Sequence, residues 1–278
     1  MNDGLRDDTP TLLALGAIVS ITASLAHELL GHGTGCAIDG GRITLLTFLV
    51  FRCAGAGVLA DGGGPVGAFA VGCAALLVLR TARPRSALLA LFLFALGVPT
   101  LLWVWAQMIK EGLDGSDDWG HVAADVGWAA GWHATAIVIG AIGYAATLRI
   151  ARGMSGPVAD GRPLRLLIPY LAATVSAVVL GALWHGDRAA SALDGLLSFG
   201  VAPAGYLLLV RQVARESATS GGDSPAALPD SAATPGSPAA WDLPLRGPIK
   251  RDVPWLVSAA VLWLAFALTI ARGVGPLA

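Results

Sequence analysis

The chain has 278 residues, a formal net charge of −1, 55% hydrophobic residues and only 13% charged ones. Soluble domains carry about 25% charged residues, so this composition, with a mean hydropathy of +0.68, is that of a polytopic membrane protein. The near-neutral charge argues against nucleic acid as a partner. The acidic start Met-Asn-Asp-Gly-Leu-Arg-Asp-Asp lacks the basic region of a cleavable signal. Cys36, Cys53 and Cys73 are spaced too widely for a zinc–thiolate cluster.

Residues 11–30, 62–79, 87–108, 126–148, 166–184, 191–210 and 253–270 are long and apolar enough to cross about 30 Å of hydrocarbon. The expected fold class is an all-α multi-pass membrane protein of about seven transmembrane helices, with a short β-hairpin or re-entrant segment after the first. The second span has an alternative, in which residues 62–65 enter the membrane as a loop. The chain divides into a three-span core over 1–130, further spans over 131–215, a linker over 216–252 and a last span over 253–278.

The first span ends in Ala26-His27-Glu28-Leu29-Leu30-Gly31-His32-Gly33. Two imidazoles and a carboxylate at the end of a hydrocarbon-length helix are costly to desolvate. A metal offsets that cost by taking lone pairs from neutral histidines and giving the glutamate a water to work on. The spacing needs an irregular helix. Histidines four apart lie about 40° apart around a helix, whereas His27 and His32, five apart, lie about 140° apart. A one-residue bulge, or unwinding at Gly31, brings both to one ion. The bland alternative is a buried hydrogen-bonded pair of Glu28 and His32, four apart.

After this helix, Gly40-Gly41 marks a turn and the run from Arg42 to Phe51 reads as a strand or hairpin. Cys36 and Cys53 flank it, either as a disulfide or as two buried thiols. Arg80, Arg83 and Arg85 follow the second span, and Arg149, Arg152, Arg162 and Arg165 follow the fourth. Arg211, Arg215, Arg246, Lys250 and Arg251 lie between the sixth and seventh. Positive-inside alternation makes these loops cytoplasmic together, with the amino terminus inside. The histidines then share the outer side with a loop over 110–125 holding Glu111, Asp114, Asp117, Asp118 and Asp125.

His121, His133 and His185 read as surface, packing or interfacial groups, His185 with the alternative of supporting a metal ligand. Trp119, Trp184 and Trp255 suit interfacial anchoring, and Gly140, Gly143 and Ala146 suit close helix packing. Residues 216–252, rich in Ser, Ala, Pro, Gly and Asp, read as a flexible linker.

His27-Glu28-Leu29-Leu30-Gly31-His32 resembles the metal helix of the site-2 protease class of intramembrane zinc peptidases, with one residue inserted. The string also resembles the zinc motif of dipeptidyl peptidase III, a soluble enzyme whose second glutamate motif has no counterpart here. The membrane resemblance continues over roughly residues 11 to 130. Gly40-Gly41-Arg42-Ile43 is similar to that family's turn and strand, and Gly63-Gly64-Pro65-Val66-Gly67 is similar to the start of its next core helix. The resemblance implies a third zinc ligand from an aspartate after the third core helix. Asp118, in Ser116-Asp117-Asp118-Trp119, is the first choice, Asp114 the second and Asp194 the third, with Asp117 also open.

The implied function is a zinc metallopeptidase hydrolysing peptide bonds in or beside the bilayer, in a membrane-anchored protein or peptide. His27, His32 and Asp118 would hold Zn2+, and Glu28 would act as general base. The alternative is an inactive descendant of that core, a binding protein with or without metal. A transporter would need coupled ionisable groups deep in several spans, which spans three to six hardly offer.

Overall fold

The computed structural model describes residues 6–84, 86–128, 131–220 and 247–275. The expected linker therefore lies largely outside the described residues, and its first residues instead continue a helix.

The first element is a continuous rod, Thr9–Ile38. It opens as α1 (Thr9–Leu25), where the Asp8 carboxylate caps the Thr11 amide at 3.1 Å and Pro10 occupies the first turn, a position that has no helical N–H to lose. Hydrogen bonding to Thr11 holds the Asp8 carboxyl below the usual carboxylate range, against the opposing effect of burial. The rod continues as a π-helical segment, Ala26–Gly33, and closes as α2 (Thr34–Ile38). Gly40, at φ 76°, turns the chain into β1 (Arg42–Leu46), which pairs antiparallel with β2 (Phe51–Ala54) across a bulge between Ile43 and Leu45.

The tip of this hairpin is held inside the protein. Ser24 donates to the Phe48 carbonyl at 2.6 Å, and Phe48 packs against Phe199 and Phe266. Irregular backbone is tolerated within a membrane protein when it is packed in this way. A Cys36–Cys53 disulfide ties α2 to β2, which settles the alternative left open for those thiols.

Seven α-helices follow α3 (Val58–Ala82) among the described residues: α4 (Ala87–Asp114), α5 (Asp117–Asp125), α6 (Trp132–Ala159), α7 (Pro163–Ala182), α8 (Arg188–Leu196), α9 (Tyr206–Ser220) and α10 (Val253–Leu268). Among the described residues, seven helical stretches are long and apolar enough to cross a membrane. The chain is an integral membrane protein of the expected class.

Several boundaries differ from expectation for local reasons. Residues 62–65 are not a re-entrant loop: α3 starts at Val58, with the Asp39 carboxylate accepting from the amides of Gly57 and Ala60 at 3.0 and 2.8 Å. Val126 does not start the fourth span, because Gly115 at φ 70° ends α4 and α5 forms alone. The sixth span is interrupted by a second π-helical segment, Leu197–Val201, whose freed carbonyls are met by side-chain hydroxyls: Tyr144 on Ala202 at 3.0 Å, Thr174 on Phe199 at 2.9 Å and Tyr170 on Gly200. Ser217 lies in α9 rather than in a linker, and donates to Gly161 at 2.7 Å.

One continuous apolar core joins α1, α3, α4, α6, α7, α9 and α10. Gly140 and Gly143 let α6 lie directly on Trp105 of α4. Near the start of α1, Arg165 is fully buried and grips Asp7 through Nε and one terminal nitrogen, at 3.0 and 2.7 Å. Arg165 also donates to the Gly247 carbonyl at 2.7 Å, while the Ile249 amide donates to Asp7 at 2.7 Å. This arginine is therefore a structural clamp and not a free surface charge. The rise of 1.5 Å per residue places Glu28, twenty residues beyond Asp8, about 30 Å from this clamp.

Candidate metal centre

The π-helical segment resolves the spacing problem of the two histidines. Its hydrogen bonds run from residue i to i+5, so His32 lies one turn above His27 and their rings meet at 4.8 Å, edge to face. Their Nε2 atoms are 3.2 Å apart. Gly31 serves a purpose other than unwinding. It has no positive φ. A Cβ there would sit 2.7 Å from Gly63 carbonyl carbon and Gly64 Cα, so glycine lets the segment lie backbone to backbone on α3.

Asp118 completes the group. Its Oδ2 is 3.2 Å from His27 Nε2 and its Oδ1 is 3.4 Å from His32 Nε2. All three residues are buried, and one ligand atom from each falls within 4.8 Å of the others. Burial opposes ionisation of Asp118, but hydrogen bonds and charge from His27 and His32 win, holding its carboxyl well below the usual range. Asp118 stands in the first turn of α5 and not in the next span.

Two features fit a metal ion. Nitrogen and oxygen ligands bonded at about 2.0–2.2 Å to one tetrahedral zinc lie roughly 3.3 Å from each other, matching the separations of 3.2, 3.2 and 3.4 Å. The second is Gly64. A Cβ there would sit 2.6 Å from His27 Nε2 and closer still to His32 Nε2. Glycine keeps that space clear, so these residues fit an ion.

The surrounding groups orient the ligands. His32 Nδ1 lies 2.6 Å from the Ala60 carbonyl. A carbonyl only accepts, so Nδ1 carries the proton, and Nε2 is the atom that the neutral ring would offer to an ion. Phe51 of β2 stacks on His32 at 5.4 Å, and Trp103 of α4 stacks on His27 at 4.8 Å. Glu28 is buried and follows His27 directly in the π-helical segment. It makes no hydrogen bond to His32 among the described residues, contrary to the bland reading of that pair.

The other aspartates stand apart. Asp114 is exposed, accepting from Ser116 at 2.7 Å and pairing with Lys110 at 3.2 Å. Asp117 is 3.9 Å from Lys110, and Asp194 and Asp125 are exposed. Of the remaining histidines, His121 and His185 are exposed, while His133 shares a 2.9 Å hydrogen bond with the Gly112 carbonyl.

Sequence reading missed the stripe on α4. Trp103, Gln107 and Glu111 recur every four residues on one face. Trp103 covers His27, Gln107 donates to Asp118 Oδ2 at 2.7 Å, and Glu111 accepts the Trp119 amide at 2.6 Å. Glu111 is not part of a solvated loop; it is fully buried in the last turn of α4. The available signal was the regular spacing of two polar residues on an otherwise apolar helix. No family model, curated protein or solved structure matches this chain, so the functional reading rests on geometry.

Proposed function

We propose that the protein is a zinc metallopeptidase of the site-2 protease type, hydrolysing a peptide bond of a membrane-anchored substrate in or beside the bilayer. The observation that carries this reading is the buried set His27, His32 and Asp118 at one end of a membrane-spanning rod, with the buried Glu28 following His27 in the same segment. Two imidazoles and one carboxylate are a common ligand set of catalytic zinc, which leaves a fourth position open.

In this reading, Nε2 of His27, Nε2 of His32 and the Asp118 carboxylate hold the ion. Zinc, when bound, supplies a water acidified to a pKa of about 7 and polarises the scissile carbonyl. Glu28 takes the proton from the attacking water and delivers it to the leaving amine. Trp103 and Phe51 keep bulk water from the faces of the two rings, which strengthens the electrostatics within. The Ala60 carbonyl fixes the tautomer of His32.

The site faces the outer, oxidising side, with the amino terminus inside. The Cys36–Cys53 disulfide lies at the site's end of the rod, where an oxidising compartment favours it. Arg162, Arg165 and Arg251 lie at the other end, beside Asp7 and Asp8, as the positive-inside tendency requires.

Purified protein should contain one zinc per chain, and His27→Ala should contain none. Glu28→Gln should keep the metal and lose about 10²–10⁴-fold in turnover of a membrane-anchored substrate. Full hydrolytic activity in Glu28→Gln would overturn the assignment. Metal-loaded wild type without hydrolysis of any anchored substrate would favour a binding protein.

A further inference from the structure

Asp118 is the ligand with the weakest support of its own. It stands in α5, a helix of nine residues, below the length at which helices hold themselves together. Ser116 precedes the helix without capping it, because its hydroxyl is turned to Asp114 at 2.7 Å. Asp117 is left-handed at φ 64°. The first amides of α5 therefore need an acceptor from elsewhere.

We propose that Gln107 and Glu111 of α4 are positioning residues that hold the Asp118 carboxylate against the two imidazoles; the inference rests on the metal-site reading above. Glu111 acts as a cap supplied by a neighbouring helix. Its Oε2 accepts the Trp119 amide at 2.6 Å, the bond that a capping side chain from Ser116 would otherwise take. Gln107 acts on the ligand directly. Its Nε2 donates to Asp118 Oδ2 at 2.7 Å, leaving the carboxylate aimed at His27 and His32. An amide suits this position because it donates to a carboxylate without adding charge beside the two imidazoles. The second oxygens, Gln107 Oε1 and Glu111 Oε1, are buried without partners among the described residues. Oxygens placed there at such a cost are better explained by the bonds their side chains make to α5 than by packing.

The stripe also links the two halves of the ligand set. Trp103 on the same face of α4 lies on His27. One helix thus registers the first rod against α5.

The test is metal affinity in the full-length protein, by competition of zinc against a chromogenic chelator, with cobalt absorption as a second readout. Gln107→Leu, of similar size but unable to donate, and Glu111→Ala should each bind zinc about 10–100-fold more weakly, the usual effect of removing a group that orients a ligand. Their cobalt spectra should shift as the carboxylate leaves the metal. Glu111→Gln keeps an oxygen for the Trp119 amide and should bind within a few-fold of wild type. That rescue separates positioning from loss of fold, since Glu111→Ala and Glu111→Gln both remove the buried carboxyl group. Wild-type affinity and spectrum in Gln107→Leu and Glu111→Ala would overturn the proposal, as would an equal loss in Glu111→Gln and Glu111→Ala. Failure of wild type itself to bind zinc or cobalt would overturn the metal reading instead.

Discussion

Gly64 gives the sharpest prediction, because one methyl group is aimed at the space between two ligand atoms. In Gly64→Ala the new Cβ would stand 2.6 Å from His27 Nε2 and nearer to His32 Nε2. Non-bonded carbon and nitrogen rest at about 3.5–4.0 Å, so each ring must retreat by about 1 Å. Metal–ligand distances tolerate about 0.2 Å, so the displacement is several times what coordination allows. The rings cannot retreat freely, since Trp103 and Phe51 lie on their faces. Zinc affinity should fall by more than about 100-fold, or about 2.7 kcal/mol, measured by chelator competition and metal content. Gly62→Ala is the control in the same turn of α3. Its Cβ meets only Val122 Cγ2, at 3.2 Å, and a slight shift of that methyl should preserve binding. Stoichiometric zinc at wild-type affinity in Gly64→Ala would refute the reasoning.

Other perturbations test other parts of the molecule. Arg165→Met strands Asp7 without its buried partner and should cost about 3–5 kcal/mol, read as a lower thermal midpoint in detergent; an unchanged midpoint would deny the clamp. Removing the Cys36–Cys53 bridge, which spans 17 residues, should cost about 3 kcal/mol and weaken metal binding by loosening Phe51 from His32; Cys53→Ser with unaltered stability and affinity would contradict this. For pH, burial opposes the ionised Asp118, but its hydrogen bonds to the two imidazoles lower its pKa overall. A lowered carboxyl contributes in full above its ordinary pKa of about 3.9 and is lost only as pH falls through the lower value. Between pH 4 and 7, cobalt binding should therefore fall with protonation of the imidazoles, which must be neutral to ligate. A binding curve flat down to pH 4 would be inconsistent with histidine ligation.

The large features were legible because they follow from hydropathy and turn chemistry. The spans, the Gly40 turn and the hairpin need no long-range information. His27, Glu28 and His32 stood out because ionisable groups are rare in an apolar rod. What the sequence hid depends on partners distant along the chain. Glu111 reads as solvated until α5 is seen to fold back over it, and Gln107 is one amide until Asp118 arrives beside it. Arg165 reads as a loop charge because its acceptors, Asp7 and the Gly247 carbonyl, lie far off in sequence. Gly31 was noticed for the wrong reason: its missing side chain, and not its freedom of rotation, is what α3 requires.

The eight-residue stretch of wide winding, Ala26–Gly33, has a consequence for how such sites are recognised. A rod that shifts its hydrogen bonds one residue further along absorbs an inserted amino acid without moving the side chains that matter. The interval between two coordinating imidazoles is thus elastic, set by the local pitch of the backbone as much as by the count of residues between them. A pattern written with a rigid gap of three would pass over this chain, although the two rings still meet on the same side of the coil.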